Sequence, residues 1–259
     1  MIKLCANLGF LWTELTLPDA IRAAKSNGFH AVECHWPYDT LHSDLTAALD
    51  ETGLKMLGLN TRRGDVASGE NGVAALVGRE TEAREFIDES INYARAIGCD
   101  NIHVMAGVAD PMNNEAQGTF TDNLKYGCKA AAVHGKTVLI EPLNKYDAPG
   151  YFLSTLDAAL ETIDRVAEPN LKIMFDCYHM QIMGGDLLRR YKQTADKIGH
   201  VQFASVPDRA EPDSGEIDCR WLLGEIAAAG YTGMFGAEYK PRTTTDAGIG
   251  WLEKWVGTS

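Results

Sequence analysis

Short apolar runs alternate with amphipathic segments along the whole chain, and this alternation constrains the fold more than any other feature. Eight runs have the length and composition of buried strands: Ile2–Leu8, Ala31–Cys34, Lys55–Leu59, Asn101–Met105, Thr137–Ile140, Leu171–Phe175, His200–Phe203 and Gly233–Ala237. Segments with helical periodicity follow nearly all of them, at Pro18–Asn27, Asp44–Glu51, Glu80–Ile97, Asn123–His134, Leu156–Val166, Asp186–Ile198 and Arg220–Ala229. Continuous apolar strands that alternate with helices predict a parallel sheet covered by helices.

The number of repeating units distinguishes between the two common parallel folds. Eight strand–helix units in 259 residues match the (β/α)8 TIM barrel, which typically has about 250 residues. An open doubly wound sheet is the alternative, but residues 6–14 after the first strand lack its Gly-rich phosphate loop. Most predicted helices end at a glycine, which suits a left-handed C-cap: Gly28, Gly53, Gly98, Gly135, Gly199 and Gly230.

The organisation along the chain is that of one unit. No Pro- or Ser-rich linker interrupts the alternation, so residues 1–259 are predicted to form a single domain. Two connections, residues 62–79 and 107–118, are too long for simple turns and follow the third and fourth strands. Both are therefore expected on the C-terminal face, where barrel enzymes build their sites. The sequence leaves open whether the first is a lid, a wall of the pocket or an irregular excursion.

Charge and cysteine usage exclude several classes of protein. The net charge of −12, from 24 basic and 36 acidic side chains, argues against a nucleic-acid-binding surface. It leaves room for a small anionic substrate attracted by a local basic patch. The six cysteines contain no C-x-x-C pair and are expected to be reduced and buried. With no signal-peptide pattern and no run of eighteen apolar residues, no membrane partner is expected and the cytoplasm is the predicted location.

Polar side chains stand at the ends of the last four predicted strands. They are Glu141, Asp176, Gln202 and Glu238, spaced by about one strand–helix unit, so they occupy equivalent positions at the barrel mouth. Three carboxylates at one place repel one another unless a cation lies between them. An all-oxygen set suits Mg²⁺ or Mn²⁺ better than zinc, which favours Cys and His. Each acid alone could equally cap a helix, and it is the set of four that predicts a divalent metal site.

Several cations are predicted at the same rim. His179 follows the sixth strand, Arg209 lies after the seventh and Lys240 after the eighth, and Arg62 or Arg63 opens the long loop. His179, Arg209 and Lys240 are the candidates for binding a substrate carboxylate or a developing oxyanion. Any one of them alone is as well explained as a surface charge.

One further histidine and three aromatic residues lie on or near the ends of the predicted strands. His103 lies on an apolar strand, where a histidine is usually a satisfied core group. Phe10, Trp12 and Trp36 follow the first two strands. They are expected either to wall the pocket or to pack in the core.

The residue types at the rim indicate proton transfer next to a carbonyl. A divalent ion polarises a carbonyl and a neighbouring hydroxyl and so stabilises an enediolate. Of two flanking glutamates, Glu141 and Glu238, one can remove a proton from carbon and the other return it. No obvious nucleophile accompanies them. Isomerisation of the aldose–ketose type, or epimerisation, is the predicted reaction class.

The chain as a whole resembles the hydroxypyruvate isomerase family of the xylose-isomerase-like barrels. The resembling segments run nearly end to end: CANLGFLWTE, GFHAVECHWPYD, GDVASGENGVAAL, GRETEAREFI, HVMAG, LIEPLN, FDCYHMQIMGGDL, HVQFASVPDR, GEID and GAEYKPR. The resemblance implies interconversion of hydroxypyruvate and tartronate semialdehyde, with 2-oxo-tetronate as the alternative substrate. It also implies that Glu141 and Glu238 are the acid–base pair and that Glu141, Asp176, Gln202 and Glu238 bind the metal.

The chain also departs from the family pattern. Ala210 stands where a histidine is expected, and the segment VECHWPYD is more polar than usual. Ketose 3-epimerases of the same superfamily place a histidine where this chain has Gln202, which disfavours that alternative. A metal-dependent endonuclease or a non-catalytic binding protein on the same scaffold are remoter alternatives. A homo-oligomer is compatible with a barrel of this size.

Overall fold

The computed structural model describes residues 2–256, which form a nearly closed barrel of parallel strands surrounded by helices. The strand segments are β1 Leu4–Asn7, β2 Ala31–Glu33, β3 Lys55–Met56, β4 Gly58–Asn60, β5 Asn101–His103, β6 Thr137–Ile140, β7 Leu171–Asp176, β8 Ile198–Phe203 and β9 Phe235–Ala237. Their order is β3-β2-β1-β9-β8-β7-β6-β5-β4, and every pair is parallel. The predicted barrel is confirmed.

The nine segments occupy eight strand positions, because β3 and β4 are one strand interrupted at Leu57. The Leu57 amide donates to the Val32 carbonyl at 2.8 Å, and its carbonyl accepts from the Asn101 amide at 3.0 Å. The backbone of this single residue therefore links β2 on one side with β5 on the other. Accordingly β6, β7, β8 and β9 are the fifth to eighth strands of the sequence pattern.

The helices cover the outside of the barrel. They are α1 Leu17–Ser26, α2 His42–Thr52, α3 Glu80–Ala96, α4 Asn114–Ala132, α5 Leu156–Val166, α6 Cys177–Met183, α7 Leu187–Thr194, α8 Cys219–Ala228, α9 Thr245–Gly248 and α10 Trp251–Val256. The apolar layer between strands and helices is buried, as Ile21, Leu45 and Leu124 illustrate. No helix within residues 2–256 is long and apolar enough to cross a membrane.

Two predicted helix boundaries are wrong. Helix α4 begins at Asn114 rather than Asn123, because Asn113 caps it by accepting the Glu115 amide at 2.8 Å. The second long loop is correspondingly shorter. Helix α7 ends at Thr194, and Gly199 lies inside β8 instead of capping a helix. A Cβ on Gly199 would lie 2.6 Å from the Lys172 Cβ, so close packing and not left-handed backbone explains this glycine.

The long segment after β4 is tied to its neighbour in space. It contains a 3-10 turn at Val66–Ser68 and a bridge between Gly72 and Ala106. Gly72 has φ of +108° and donates its amide to the Arg63 carbonyl at 2.8 Å, while a Cβ there would lie 2.4 Å from the Met105 carbonyl oxygen. Only glycine fits this conformation and this close approach. The segment is an ordered wall beside the barrel mouth.

Candidate active site

The four residues predicted at the strand ends meet at the C-terminal mouth of the barrel. Glu141 follows β6, Asp176 ends β7, Gln202 lies in β8 and Glu238 follows β9. Asp176 and Gln202 are direct neighbours in the β7–β8 register. All four residues are buried, with 5% exposure or less. The structure therefore brings together the residues that the sequence pattern grouped.

Three of these residues present an oxygen atom that has no hydrogen-bond partner. The buried atoms are Oε1 of Glu141, Oδ2 of Asp176 and Oε1 of Gln202. Nε2 of His179, also without a partner, lies 3.8 Å from the Glu141 oxygen and 3.6 Å from the Asp176 oxygen. Buried polar atoms are nearly always satisfied, so this cluster indicates a site built for a group that the protein chain itself does not supply. Three hard oxygen donors fit Mg²⁺ or Mn²⁺.

The His179 ring is oriented by Asn144. Nδ1 of His179 accepts the Asn144 backbone amide at 3.0 Å and its side-chain amide at 2.8 Å. The Asn144 Oδ1 in turn accepts the amides of Tyr146 and Asp147, which fixes the amide orientation. Burial and the charge of Arg209 lower the pKa of His179 well below its usual value. The ring is therefore neutral with its proton on Nε2, which makes it a hydrogen-bond donor toward the cluster.

Glu238 differs from the other three because both of its oxygens are bonded. Oε1 accepts from Nδ2 of Asn7 at 3.0 Å and from Nε2 of His35 at 2.8 Å. Oε2 accepts from Nη2 of Arg209 at 2.6 Å. Although burial opposes ionisation, Arg209 and His35 hold the pKa of Glu238 below its usual value. Glu238 is thus held as a carboxylate.

The guanidinium of Arg209 is paired with three acids around it. It forms ion pairs with Glu238, with Asp176 at 3.5 Å and with Asp147 at 3.3 Å. Its backbone has φ of +52°, which a non-glycine residue seldom adopts, and its carbonyl accepts the Lys240 amide at 2.7 Å. This strained turn directs the side chain toward the acidic cluster. The predicted role in substrate binding is therefore shared with a role in neutralising the carboxylates.

The remaining acids are pushed toward their protonated forms. Burial, then the charges of Glu238 and Asp176, raise the pKa of Glu141 well above its usual value. Burial and the Glu238 charge outweigh Arg209 and raise the pKa of Asp176 to about 8. Like charges that share a buried place cannot all ionise without a compensating cation. The electrostatics of the cluster therefore favour uptake of positive charge.

Lys240, Trp12 and His103 differ from one another in burial and in their contacts. Lys240 is exposed at the rim, with Nζ 5.7 Å from the Phe10 ring centroid. Trp12 is a core residue with 2% exposure, so of the two expected places, pocket wall or core, it takes the core. His103 is not a satisfied core group, because neither ring nitrogen has a partner and Nδ1 lies 3.5 Å from Oε2 of Glu141. Burial lowers the pKa of His103 to about 4.

The sequence pattern missed the contribution of the first two strands. Asn7 ends β1, Glu33 ends β2 and His35 follows it, and all three join the polar network around Glu238. Gly9 makes room for the His35 ring, since a Cβ on Gly9 would lie 2.1 Å from it. The only signal in the sequence was the unusual polarity of the segment that contains His35 and Trp36.

The site opens into a cavity of about 370 Å³. Its lining includes Phe10, Trp36 and Arg63 together with Glu141, His179 and Glu238. A cavity of this volume has room for a small organic molecule. A buried polar cluster at the base of an open pocket is the usual arrangement of a small-molecule site.

Parallel strands closed into a barrel, with buried acids at the C-terminal mouth, define the class of barrel enzymes. The chain belongs to the family described as Xylose isomerase-like TIM barrel, whose model matches residues 21–255. It is 44% identical to the 2-oxo-tetronate isomerase of Cupriavidus necator, an alignment that covers 99% of this chain and 100% of that protein. It is 39% identical to the hydroxypyruvate isomerase of Escherichia coli K12, with 98% and 100% covered. The predicted family is confirmed.

One similar structure bears a different functional name. A crystal structure from Brucella melitensis, described as an AP endonuclease of family 2, superposes with a TM-score of 0.95. It is 38% identical, and the match covers 98% of this chain and 99% of that one. The names of similar proteins thus include isomerases and an endonuclease, and the chemistry of the site is needed to choose between them.

Proposed function

We propose that the chain is a metal-assisted isomerase that interconverts hydroxypyruvate and tartronate semialdehyde through an enediolate, with 2-oxo-tetronate as the alternative substrate. The observation that carries the proposal is the buried cluster of oxygens without a hydrogen bond on Glu141, Asp176 and Gln202, beside the ionised Glu238. The isomerase names of relatives that match nearly the full length support it.

The metal that fits the site is Mg²⁺ or Mn²⁺. Glu141, Asp176, Gln202 and Glu238 would hold it, the first three through the oxygens that lack partners. Such an ion supplies electrostatic stabilisation of negative charge that develops on adjacent carbonyl and hydroxyl oxygens. The pKa values of Glu141 and Asp176 are raised, first by burial, which means that ionising these carboxylates is unfavourable. A bound cation would offset that cost.

The protein residues perform the proton transfers. One of Glu141 and Glu238 removes a proton from C3 of hydroxypyruvate, and the electron pair shifts to the C2 oxygen. A proton then moves from the C3 oxygen to the C2 oxygen, and the other glutamate delivers a proton to C2, which completes the aldehyde. The reaction needs no external oxidant or reductant. His179 donates a hydrogen bond from its Nε2–H group to an oxygen that becomes negative.

The cavity has room for either substrate, and its cations suit the negative charge that both substrates carry. Hydroxypyruvate and 2-oxo-tetronate differ by one hydroxymethylene unit, and both carry a carboxylate. The cations that line the cavity are Arg63, Arg209 and Lys240. An acidic protein needs such a local patch to attract an anion.

An endonuclease has less support from the same site. A phosphate backbone requires a basic groove, whereas the net charge is −12. Within residues 2–256, a single group of His, Cys, Asp and Glu side chains lies close enough together for a metal site, namely Glu141, Asp176 and His179, and of these His179 is assigned as a hydrogen-bond donor. The cytoplasmic location, the single domain and a homo-oligomeric state stay predictions from the sequence.

The test is a substrate panel on the wild type and two variants. Hydroxypyruvate, 2-oxo-tetronates and common ketoses are assayed with Mg²⁺ and with Mn²⁺. Glu238→Gln is expected to lower kcat at least about 100-fold, as for loss of a general acid or base. The matched control is Glu161→Gln, an exposed acid on α5, which should keep wild-type turnover. Unchanged turnover in Glu238→Gln, or full activity after complete removal of metal, would contradict the proposal.

A further inference from the structure

Arg63 differs from the other arginines around the barrel mouth because it has no acidic partner. Its guanidinium carbon lies 3.8 Å from the centroid of the Trp36 ring. No ion pair or side-chain hydrogen bond of Arg63 occurs within residues 2–256. The adjacent Arg62 stacks on Tyr38 in a similar way, but it donates two hydrogen bonds, of 2.6 and 2.9 Å, to Glu89.

The platform under Arg63 is fixed and continuous with the acidic cluster. Nε1 of Trp36 donates to the Thr61 carbonyl at 3.1 Å, which holds the indole in place. The Trp36 ring centroid lies 4.9 Å from that of His35, whose Nε2 bonds Glu238. One wall of the cavity therefore leads from Glu238 through two aromatic rings to a cation.

Among the cations of the cavity, Arg63 is partly buried and has no carboxylate, in the part of the chain that the structure describes, to balance its charge. The guanidinium of Arg209 is already shared among Glu238, Asp176 and Asp147. Lys240 is exposed to solvent. Burial lowers the pKa of Arg63, because part of its hydration is lost and no carboxylate replaces it. A guanidinium that stacks through its face keeps its edge N–H groups for bidentate bonding of a carboxylate.

We propose that Arg63, held on Trp36, binds the carboxylate of the substrate and selects 2-oxo-acids over neutral ketols. This rests on the isomerase function proposed above and names the group that sets its substrate class. Arg209 then serves to position and neutralise Glu238, and it is not the principal carboxylate-binding residue. Trp36 and His35, which form the platform, lie in the polar segment VECHWPYD of the sequence.

The experiment compares Arg63→Met with the matched control Arg62→Met on a charged and a neutral substrate. Hydroxypyruvate carries the carboxylate, whereas dihydroxyacetone is a ketol of equal chain length without it. Arg63→Met should raise the KM for hydroxypyruvate roughly 10- to 100-fold, the effect of losing a charge-assisted hydrogen bond. Its kcat should stay within about twofold, and Arg63→Lys should restore part of the loss. The affinity for dihydroxyacetone, measured as its KM or as its inhibition constant against hydroxypyruvate, should be the same in Arg63→Met and the wild type, as should all constants of Arg62→Met.

The results separate this inference from the proposed function. An unchanged KM for hydroxypyruvate in Arg63→Met overturns it, and so does an equal rise of KM for both substrates, which indicates a structural role. If the wild type does not isomerise hydroxypyruvate, titration with pyruvate, an unreactive 2-oxo-acid, decides the question. Weaker pyruvate binding in Arg63→Met than in Arg62→Met supports the anion site even then, and equal or absent binding overturns it.

Discussion

Nε2 of Gln202 donates a hydrogen bond of 2.8 Å to Oε1 of Glu33, which lies at the end of β2, three strands away from β8 in the barrel. Glu33 also accepts from Asn7 at 2.9 Å and from His200 at 2.6 Å. Gly236 leaves space for this network, since a Cβ there would lie 2.6 Å from Oε1 of Glu33. Because the amide nitrogen is held by a carboxylate, the amide oxygen of Gln202 stays free to bind a cation.

Glu33 is therefore predicted to set the metal affinity without contacting the metal. In Glu33→Gln the neutral amide can donate as well as accept, so the Gln202 amide can turn over and present its nitrogen to the site. Mn²⁺ affinity measured by titration calorimetry should fall roughly 10-fold or more, as for other residues that orient a ligand.

A double variant distinguishes orientation from simple loss of structure. In Glu33→Gln combined with Gln202→Glu, donor and acceptor are exchanged, and the new carboxylate can present its second oxygen to the metal. Mn²⁺ affinity should recover to at least the wild-type value. Equal affinity in the wild type and Glu33→Gln, or no recovery in the double variant, would show that Glu33 does not orient Gln202.

Asp176 is predicted to lower the stability of the metal-free protein while it is needed for metal binding. Burial raises its pKa to about 8, so below that value the buried cluster is relieved by proton uptake. Asp176→Asn removes the charge yet keeps an oxygen that can accept the Tyr178 amide, as Oδ1 does at 2.8 Å. Without metal, the Tm of Asp176→Asn should equal or exceed that of the wild type at pH 8.

With metal bound, the wild type should have a higher Tm than Asp176→Asn. At 100 times its Kd a ligand stabilises the folded state by about 2.7 kcal/mol, and this gain should appear as a higher Tm in the wild type with MnCl2. Asp176→Asn should show no such increase. A metal-induced increase of the same size in both proteins would remove Asp176 from the ligand set.

How much of the site was predictable depends on where each residue lies in the chain. Glu141, Asp176 and Glu238 were found because strand ends at regular intervals must meet at one face of a barrel. Asn7 and His35 escaped notice because their role arises only when the barrel closes and β1 lies beside β9. The polarity of the segment around His35 was the one local sign, and it did not indicate which residue His35 would contact.

The fold was predictable for the same reason, apart from details that local interactions decide. Periodicity located all eight strand positions, but Asn113 moved the start of α4 through its cap. Arg209 was found from its type, whereas its contacts follow from a left-handed backbone at φ +52°. Spacing along the chain contains no information on either the cap or that turn.

The six cysteines are predicted to be unreactive in the native protein. All are buried and unpaired, and burial is the first cause that raises the pKa of Cys99, Cys128 and Cys219 to about 12. Because the thiolate is the reactive form, Ellman's reagent at pH 8 should label none of them within minutes. In guanidinium chloride, six thiols should react. Rapid labelling of a native thiol would contradict this packing.

His179 is predicted to act as a hydrogen-bond donor and not as a metal ligand. Its Nδ1 accepts two hydrogen bonds from Asn144, so the neutral ring carries its proton on Nε2 and has no lone pair there for a metal. His179→Phe should therefore lower kcat about 100- to 1,000-fold, the cost of losing one donor to an oxyanion. His179→Gln, which can still donate, should recover part of that loss. Mn²⁺ affinity should stay within about threefold of the wild type in both variants, whereas a metal ligand would lose far more on the same replacements.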